Sequence, residues 1–239
     1  MIFVNKSLSK NDRKFMDKDQ QSQPQQVSPV SSGFFSQTRY QIQHQLSLTK
    51  EKFKIEDGSG NPVFWAVTPT ITLKKEFHVY SDESGSQEVL EIKVHKLMEL
   101  TENWDVMEPN GQAPIGTIKS EVHLTPKWQV LNAQGQLIAE ASEAKKDIVE
   151  HAIGVPRQFT VTSSSGATLG TYDQSYASMM LNFVMDFSQD TQHLLDRRLG
   201  MALGIIVANK ALSEKEHDQG GALGGIGGLG GIGGGGIRL

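Results

Sequence analysis

The chain has 239 residues, a formal net charge of −4 and no cysteine. This composition excludes a collagen-like chain, a disulfide scaffold and any site built from thiolates. Residues 36–212 carry 16 Lys and Arg against 21 Asp and Glu. A mildly acidic central part argues against a nucleic-acid-binding protein, because such proteins depend on basic surface.

The first 38 residues show no sustained apolar pattern, and residues 20–32 are rich in Gln, Ser and Pro. This composition predicts a disordered tail over residues 1–38. The apolar run Ile2-Phe3-Val4 is too short for a signal peptide. No apolar stretch reaches the roughly 20 residues of a membrane-spanning helix. We therefore expect a cytoplasmic protein without a transmembrane span, able to act peripherally at membranes.

A five-fold repeat begins shortly after an alternating strand pattern that starts at Tyr40. Each unit is an aromatic residue, any residue and an aliphatic residue, followed by a turn glycine. The units begin at Phe53, Phe77, Trp104, Trp128 and Phe159, and the glycines are Gly60, Gly85, Gly111, Gly135 and Gly166. Each unit predicts a strand, a turn and a return strand, and the pair Asn110-Gly111 is the clearest hairpin turn.

Five hairpins with flanking strands predict a mainly β fold of about twelve antiparallel strands. Such a sheet is expected to close into a barrel, because open strand edges are costly. One segment is ambiguous: residues 140–149 contain good helix formers and predict either a helical insertion or a weak strand.

The pattern changes after residue 178. Residues 179–187 predict a last strand, and Ser188 or Asp190 is a candidate cap for a helix running to about Leu212. Residues 199–208 are apolar on every side of that helix, which predicts burial inside the closed barrel. Gly200 and Gly204 lie four residues apart and leave a smooth stripe for a close neighbour. A membrane-inserted segment is the rival interpretation.

The domain prediction is a barrel over residues 39–212 and a flexible tail over residues 213–239. Twelve of the 24 glycines lie between Gly220 and Gly236. Ordering a backbone so rich in glycine costs too much conformational entropy for a packed structure.

Two segments resemble the LURP-one-related proteins. Residues 46–67 are similar to that family's opening hairpin, with Asp57-Gly-Ser-Gly-Asn61 before the second strand, and residues 90–106 are similar to its next strand pair. Residues 179–212 resemble the end of both this family and the phospholipid scramblases. The resemblance covers residues 40–212 and implies the tubby C-terminal-like fold, a twelve-stranded barrel around one C-terminal helix.

The functional implication of the resemblance is recognition of lipid. Tubby-like domains bind phosphoinositide headgroups through basic residues on the barrel, and the LURP-one-related branch is linked with defence and signalling. Scramblases are linked with calcium-dependent phospholipid movement through an acidic segment before the last helix. The corresponding region here offers only Asp186 and Asp190, whereas a calcium site gathers six to eight oxygens.

The candidate headgroup-binding residues are basic side chains predicted on the barrel wall: Lys74, Lys75, Lys93, Lys96 and Lys119. Lysine ammonium groups can hold a lipid phosphate as point-charge donors. The alternative is a solvated face on which Glu91 and Glu121 balance Lys93 and Lys119.

Other chemistries find no support in the sequence. The seven histidines lack metalloprotease spacing, and no nucleophile elbow occurs. Asp57, Ser59 and Asn61 imitate the start of a calcium loop, but Pro62 stands where glycine is needed. We therefore expect no catalytic residue, cofactor or metal. The main hypothesis is a non-enzymatic phospholipid- or phosphoinositide-binding barrel. The alternatives are a signalling scaffold that contacts proteins through its tails and a scramblase-like protein.

Overall fold

The computed structural model describes residues 33–45, 47, 50–69, 75–98, 101–121, 127–144, 156–175 and 181–223. Positions 96–98, 121 and 215–223 are described by their backbone alone. The strands are β1 (Arg39–Gln45), β2 (Lys52–Asp57), β3 (Pro62–Val67), β4 (Glu76–Tyr80), β5 (Glu88–Met98), β6 (Thr101–Met107), β7 (Pro114–Glu121), β8 (Lys127–Asn132), β9 (Leu137–Glu143), β10 (Gln158–Ser163), β11 (Thr168–Ser175) and β12 (Asn182–Asp186). One helix, α1 (Arg197–Leu223), follows them.

The twelve strands form a closed antiparallel barrel in chain order, as the sequence predicts. Each strand pairs with its neighbours in the chain, and β1 closes the ring by pairing with β12, where Tyr40 lies opposite Met185. Closure leaves no unpaired edge, so every strand has a partner on both sides.

The repeated motif explains how the barrel is filled. The aromatic and the aliphatic residue of each unit are buried, whereas the residue between them is only partly buried on the outer face. Phe77, for example, packs its ring 6.1 Å from those of Phe53 and Trp104. The period-2 geometry of a strand therefore turns the first and third residues of the motif toward one core.

The five turn glycines all adopt positive φ angles, between 65° and 87°. Asn110 also does so, with φ of 58°, which confirms the Asn110-Gly111 turn. These five turns follow β2, β4, β6, β8 and β10. Successive strands run in opposite directions, so all five turns lie at the same end of the barrel, here called the turn end. The opposite end, here called the mouth, receives the remaining connections.

The helix passes through the barrel from the turn end to the mouth. Residues 199–208 are all buried, as their apolar character predicts. Tyr172 of β11 donates a hydrogen bond of 2.9 Å to the carbonyl of Gly200, and burial raises the pKa of Tyr172 above its ordinary value. Side chains of β12 and β1 fill the space beside the second helix glycine, Gly204.

Three expectations about element boundaries need adjustment. The helix ends at Leu223 rather than at about Leu212. The helix begins at Arg197, later than a cap at Ser188 or Asp190 would place it, and the Asp196 carboxylate accepts the first-turn hydrogen bond from the Arg198 backbone N–H. The first half of the ambiguous segment is strand β9, because residues 137–143 pair with β8 and β10. Residues 145–155 lie outside the described residues.

Candidate functional site

The predicted lysines on the barrel wall differ in how their charge is compensated. Lys93 on β5 donates to the Glu91 carboxylate at 2.6 Å, and this hydrogen bond raises the pKa of Lys93 above its usual value. Lys119 on β7 lies opposite Asn103 and Gln129 in the neighbouring strands and makes no ion pair with the described residues. Lys93 is therefore already neutralised locally, and Lys119 is not.

Of the other three predicted lysines, Lys75 and Lys96 lie near the mouth. Lys75 precedes β4 and is exposed. Lys96 belongs to β5, where only its backbone is described, and Lys74 lies outside the described residues. The assignment of these five lysines to headgroup binding stays a prediction.

A cavity of about 540 Å³ opens at the mouth between the barrel wall and the helix. Its wall side comes from the segment before β4 and the start of β6, and its helix side from the last buried turns of α1. The lining residues are Lys75, Glu102, Trp104, Ile206, Asn209, Lys210, Ser213 and Glu214. Small-molecule sites typically measure about 300–1,000 Å³, so the cavity has the size of a ligand site.

Two residues that line the cavity each contain a buried polar atom without a hydrogen-bond partner among the described residues. The two atoms are the indole Nε1 of Trp104, a donor, and the amide Oδ1 of Asn209, an acceptor. Trp104 is 1% exposed and Asn209 is 5% exposed. Buried polar atoms are nearly always hydrogen-bonded, because an unsatisfied one costs about 1–3 kcal/mol. A polar molecule beside these two atoms would satisfy them.

The charged groups of the cavity fall into two classes. Glu214 forms an ion pair with Arg157, and the distance from its carboxylate to Arg157 Nη1 is 2.6 Å. Arg157 also forms a bidentate pair of 2.8 Å bonds with Glu143. The ammonium groups of Lys75 and Lys210 and the carboxylate of Glu102 make no ion pair within the described ranges. Lys210 instead lies 5.1 Å from the ring centre of Trp128.

A second cluster lies on the outer wall at β4 and β5. His78, Glu88 and Glu91 offer ligand atoms within 4.8 Å of one another, the one such set in the described part of the chain. His78 Nδ1 lies 2.5 Å from a Glu88 oxygen, and Lys93 holds Glu91. The ammonium group already supplies the positive charge that a metal ion would bring. The expectation of no metal stays a prediction.

The acidic residues considered for calcium have other partners. Asp190 is buried and binds Arg197 Nη1 at 2.6 Å, while Asp186 accepts the backbone N–H of Ser188 at 2.9 Å. Asp57 accepts the backbone N–H groups of Ser59 and Asn61, and the Asn61 bond contributes most to lowering the pKa of Asp57. This last arrangement is the hairpin turn that the sequence favoured over a calcium loop.

Sequence reasoning missed three residues that line the cavity, namely Trp104, Asn209 and Lys210. From the sequence, Trp104 is identified only as the first residue of a repeat unit, and Asn209 and Lys210 are not singled out. A signal for the last two exists: they are the first polar residues after the apolar stretch 199–208. A buried helix becomes polar where it reaches the end of its barrel, so these positions mark the mouth.

Comparison with known proteins gives one match. The family model described as LURP-one-related matches residues 38–208. No curated protein matches, and no solved structure matches. Among the residues that the structure describes, no helix is both long and apolar enough to cross a membrane.

Proposed function

The chain belongs to the LURP-one-related family, and on that premise we propose that it is a non-enzymatic barrel that binds anionic phospholipid headgroups, phosphoinositides among them, at a cytoplasmic membrane surface. The observation that carries the proposal is the mouth cavity, which is lined by the ammonium groups of Lys75 and Lys210 and by Trp104. Among the described residues neither ammonium has a carboxylate partner, and the buried indole N–H of Trp104 has no acceptor. All three groups are donors that a phosphate oxygen satisfies.

The position of the cavity also supports a membrane-surface role. It lies at one end of the barrel, so a headgroup can enter while the rest of the lipid stays in the bilayer. Lys75, a residue that the sequence singled out, lies on the rim of the cavity. Lys119 near the end of β7 and Lys127 at the start of β8 lie at the same end of the barrel. Each lysine near an anionic membrane contributes about 1 kcal/mol to binding.

The other two functions weighed from the sequence draw less support. A scramblase-like role needs calcium, and the Asp190 carboxylate is bound to Arg197. A scaffold that contacts partners through its tails depends on residues 1–32 and 224–239, which lie outside the described residues.

We expect the full chain to sediment with phosphatidylcholine vesicles that contain phosphatidylinositol bisphosphate and not with phosphatidylcholine alone. Binding should weaken as salt rises, since the attraction is electrostatic. Lys75→Gln and Lys210→Gln should each reduce the affinity about fivefold, which corresponds to about 1 kcal/mol. Sedimentation across a vesicle titration measures these affinities.

A matched control is Lys54→Gln, because Lys54 lies on the outer wall in a 2.6 Å ion pair with Glu56, away from the cavity. It should bind like the unchanged protein. Charge reversal at Lys93 and Lys119 tests the wall lysines separately. The proposal fails if binding is insensitive to salt, or if Lys54→Gln lowers affinity as much as the mouth substitutions do.

A further inference from the structure

The mouth cavity carries both signs of charge, and this limits which headgroup it fits. Lys75 and Lys210 provide positive charge, and Glu102 provides a carboxylate without an ion-pair partner in the described part of the chain. Glu214 is paired with Arg157, but Arg157 also pairs with Glu143, so these three side chains together carry one net negative charge. A headgroup that carries only negative charge would satisfy the two lysines but would be repelled by Glu102, at a cost that grows as water is excluded.

The two buried atoms without hydrogen-bond partners also favour a headgroup that carries both an anionic and a cationic group. Trp104 Nε1 needs an acceptor, whereas Asn209 Oδ1 needs a donor. An ionised phosphate or carboxylate only accepts hydrogen bonds, so it can satisfy the indole and not the amide oxygen. An ammonium group offers three donors and no acceptor, and it satisfies the amide oxygen and the Glu102 carboxylate together.

We infer that the mouth cavity selects a headgroup that carries both signs of charge, a primary ammonium joined to anionic groups with a net negative charge, as in phosphatidylserine. The anionic groups lie against Lys75, Lys210 and the Trp104 indole N–H. The ammonium lies against Glu102 and Asn209 Oδ1. This inference rests on the proposed function and adds an order of preference to it: amino-phospholipids of net negative charge bind more tightly than anionic phospholipids, phosphoinositides included, whose headgroups carry negative charge only.

The test compares two lipids of equal net charge. Vesicles of phosphatidylcholine receive equal fractions of either phosphatidylserine or phosphatidylglycerol, each with one net negative charge, and only the former has an ammonium group. The full chain should bind the phosphatidylserine vesicles about tenfold more tightly, which is the strength of one hydrogen-bonded charge contact. Glu102→Gln should remove this preference and leave phosphatidylglycerol binding equal or stronger.

A matched control is Glu140→Gln on β9, a half-buried outer-wall carboxylate that does not line the cavity. It should keep the phosphatidylserine preference. Equal binding of the two lipids by the unchanged protein, or a preference that survives Glu102→Gln, overturns the inference and leaves the proposed function standing. No binding to either lipid or to phosphatidylinositol bisphosphate overturns the proposed function itself.

Calorimetry with O-phosphoserine separates a lipid headgroup from a free amino-phosphate of the same chemistry. Weak binding that Glu102→Gln abolishes supports the site and agrees with a lipid ligand. Binding of the free compound that is tighter than binding to phosphatidylserine vesicles contradicts the membrane source.

Discussion

Replacing Asp190 by alanine is expected to lower the free energy of unfolding by about 3–5 kcal/mol, the cost of removing one partner of a buried ion pair. The Asp190 carboxylate binds Arg197 Nη1 at 2.6 Å, and neither side chain is more than 9% exposed. It also accepts the backbone N–H groups of Leu194 and Leu195 at 2.8 and 3.1 Å. Removal therefore leaves a buried guanidinium charge without its counter-ion and two backbone N–H groups without their acceptor. Urea unfolding monitored by tryptophan fluorescence measures the loss.

The double variant Asp190→Ala with Arg197→Met provides the control. It removes the unpaired charge while the methionine still packs on Phe187, over which the guanidinium now lies at 5.0 Å. We expect it to be more stable than Asp190→Ala alone. If Asp190→Ala lowers the free energy of unfolding by less than about 1 kcal/mol, the ion pair does not stabilise the position of the helix. A double variant less stable than Asp190→Ala alone would contradict the account in the same way.

The second large effect is expected at Gly204, where the helix passes β12. A Cβ atom there would lie 3.2 Å from Ile42 Cδ1 and would overlap the Met185 sulfur. Alanine raises intrinsic helix propensity by about 1 kcal/mol, but overpacking a filled core costs about 1–3 kcal/mol. We expect Gly204→Ala to destabilise the protein on balance, with a lower urea midpoint and an unchanged slope.

A double-mutant cycle with Met185→Ala isolates the cause. The smaller side chain frees the space beside Gly204, so Gly204→Ala should cost less in that background than in the unchanged protein. Equal costs in the two backgrounds would show that the steric explanation is wrong. A stabilising Gly204→Ala in the unchanged protein would mean that the helix does not lie against β12.

Much of the fold could be predicted because its signals are local. The spacing of Phe77 and Val79 on one strand, and the positive φ that Gly85 permits in the following turn, both act within a few residues. The start of the helix could not be predicted in this way. Asp190 has the chemistry of a cap, but its carboxylate satisfies Leu194 and Leu195 in the preceding loop, and Asp196 caps the helix instead.

The candidate site was less accessible to sequence reasoning because it depends on contacts between distant segments. Trp104 and Asn209 are 105 positions apart and meet only when the helix threads the barrel. Lys75 was selected for its charge alone, and its role at the rim follows from the position of the mouth. Lys93 was also selected for its charge, but in the structure it forms an ion pair with Glu91. The local sequence pattern does not decide whether two such neighbours form an ion pair.

The indole N–H resonances of the protein test most directly whether the mouth cavity is the ligand site. The chain has three tryptophans: Trp104 in the cavity, Trp128 beneath Lys210, and Trp65 on the outer face of β3. Titration with short-chain phosphatidylserine, with signals assigned by Trp→Phe substitution, should shift the Trp104 indole resonance and leave that of Trp65 in place. Lipid binding that leaves the Trp104 resonance unmoved, or that moves only Trp65, would contradict this account.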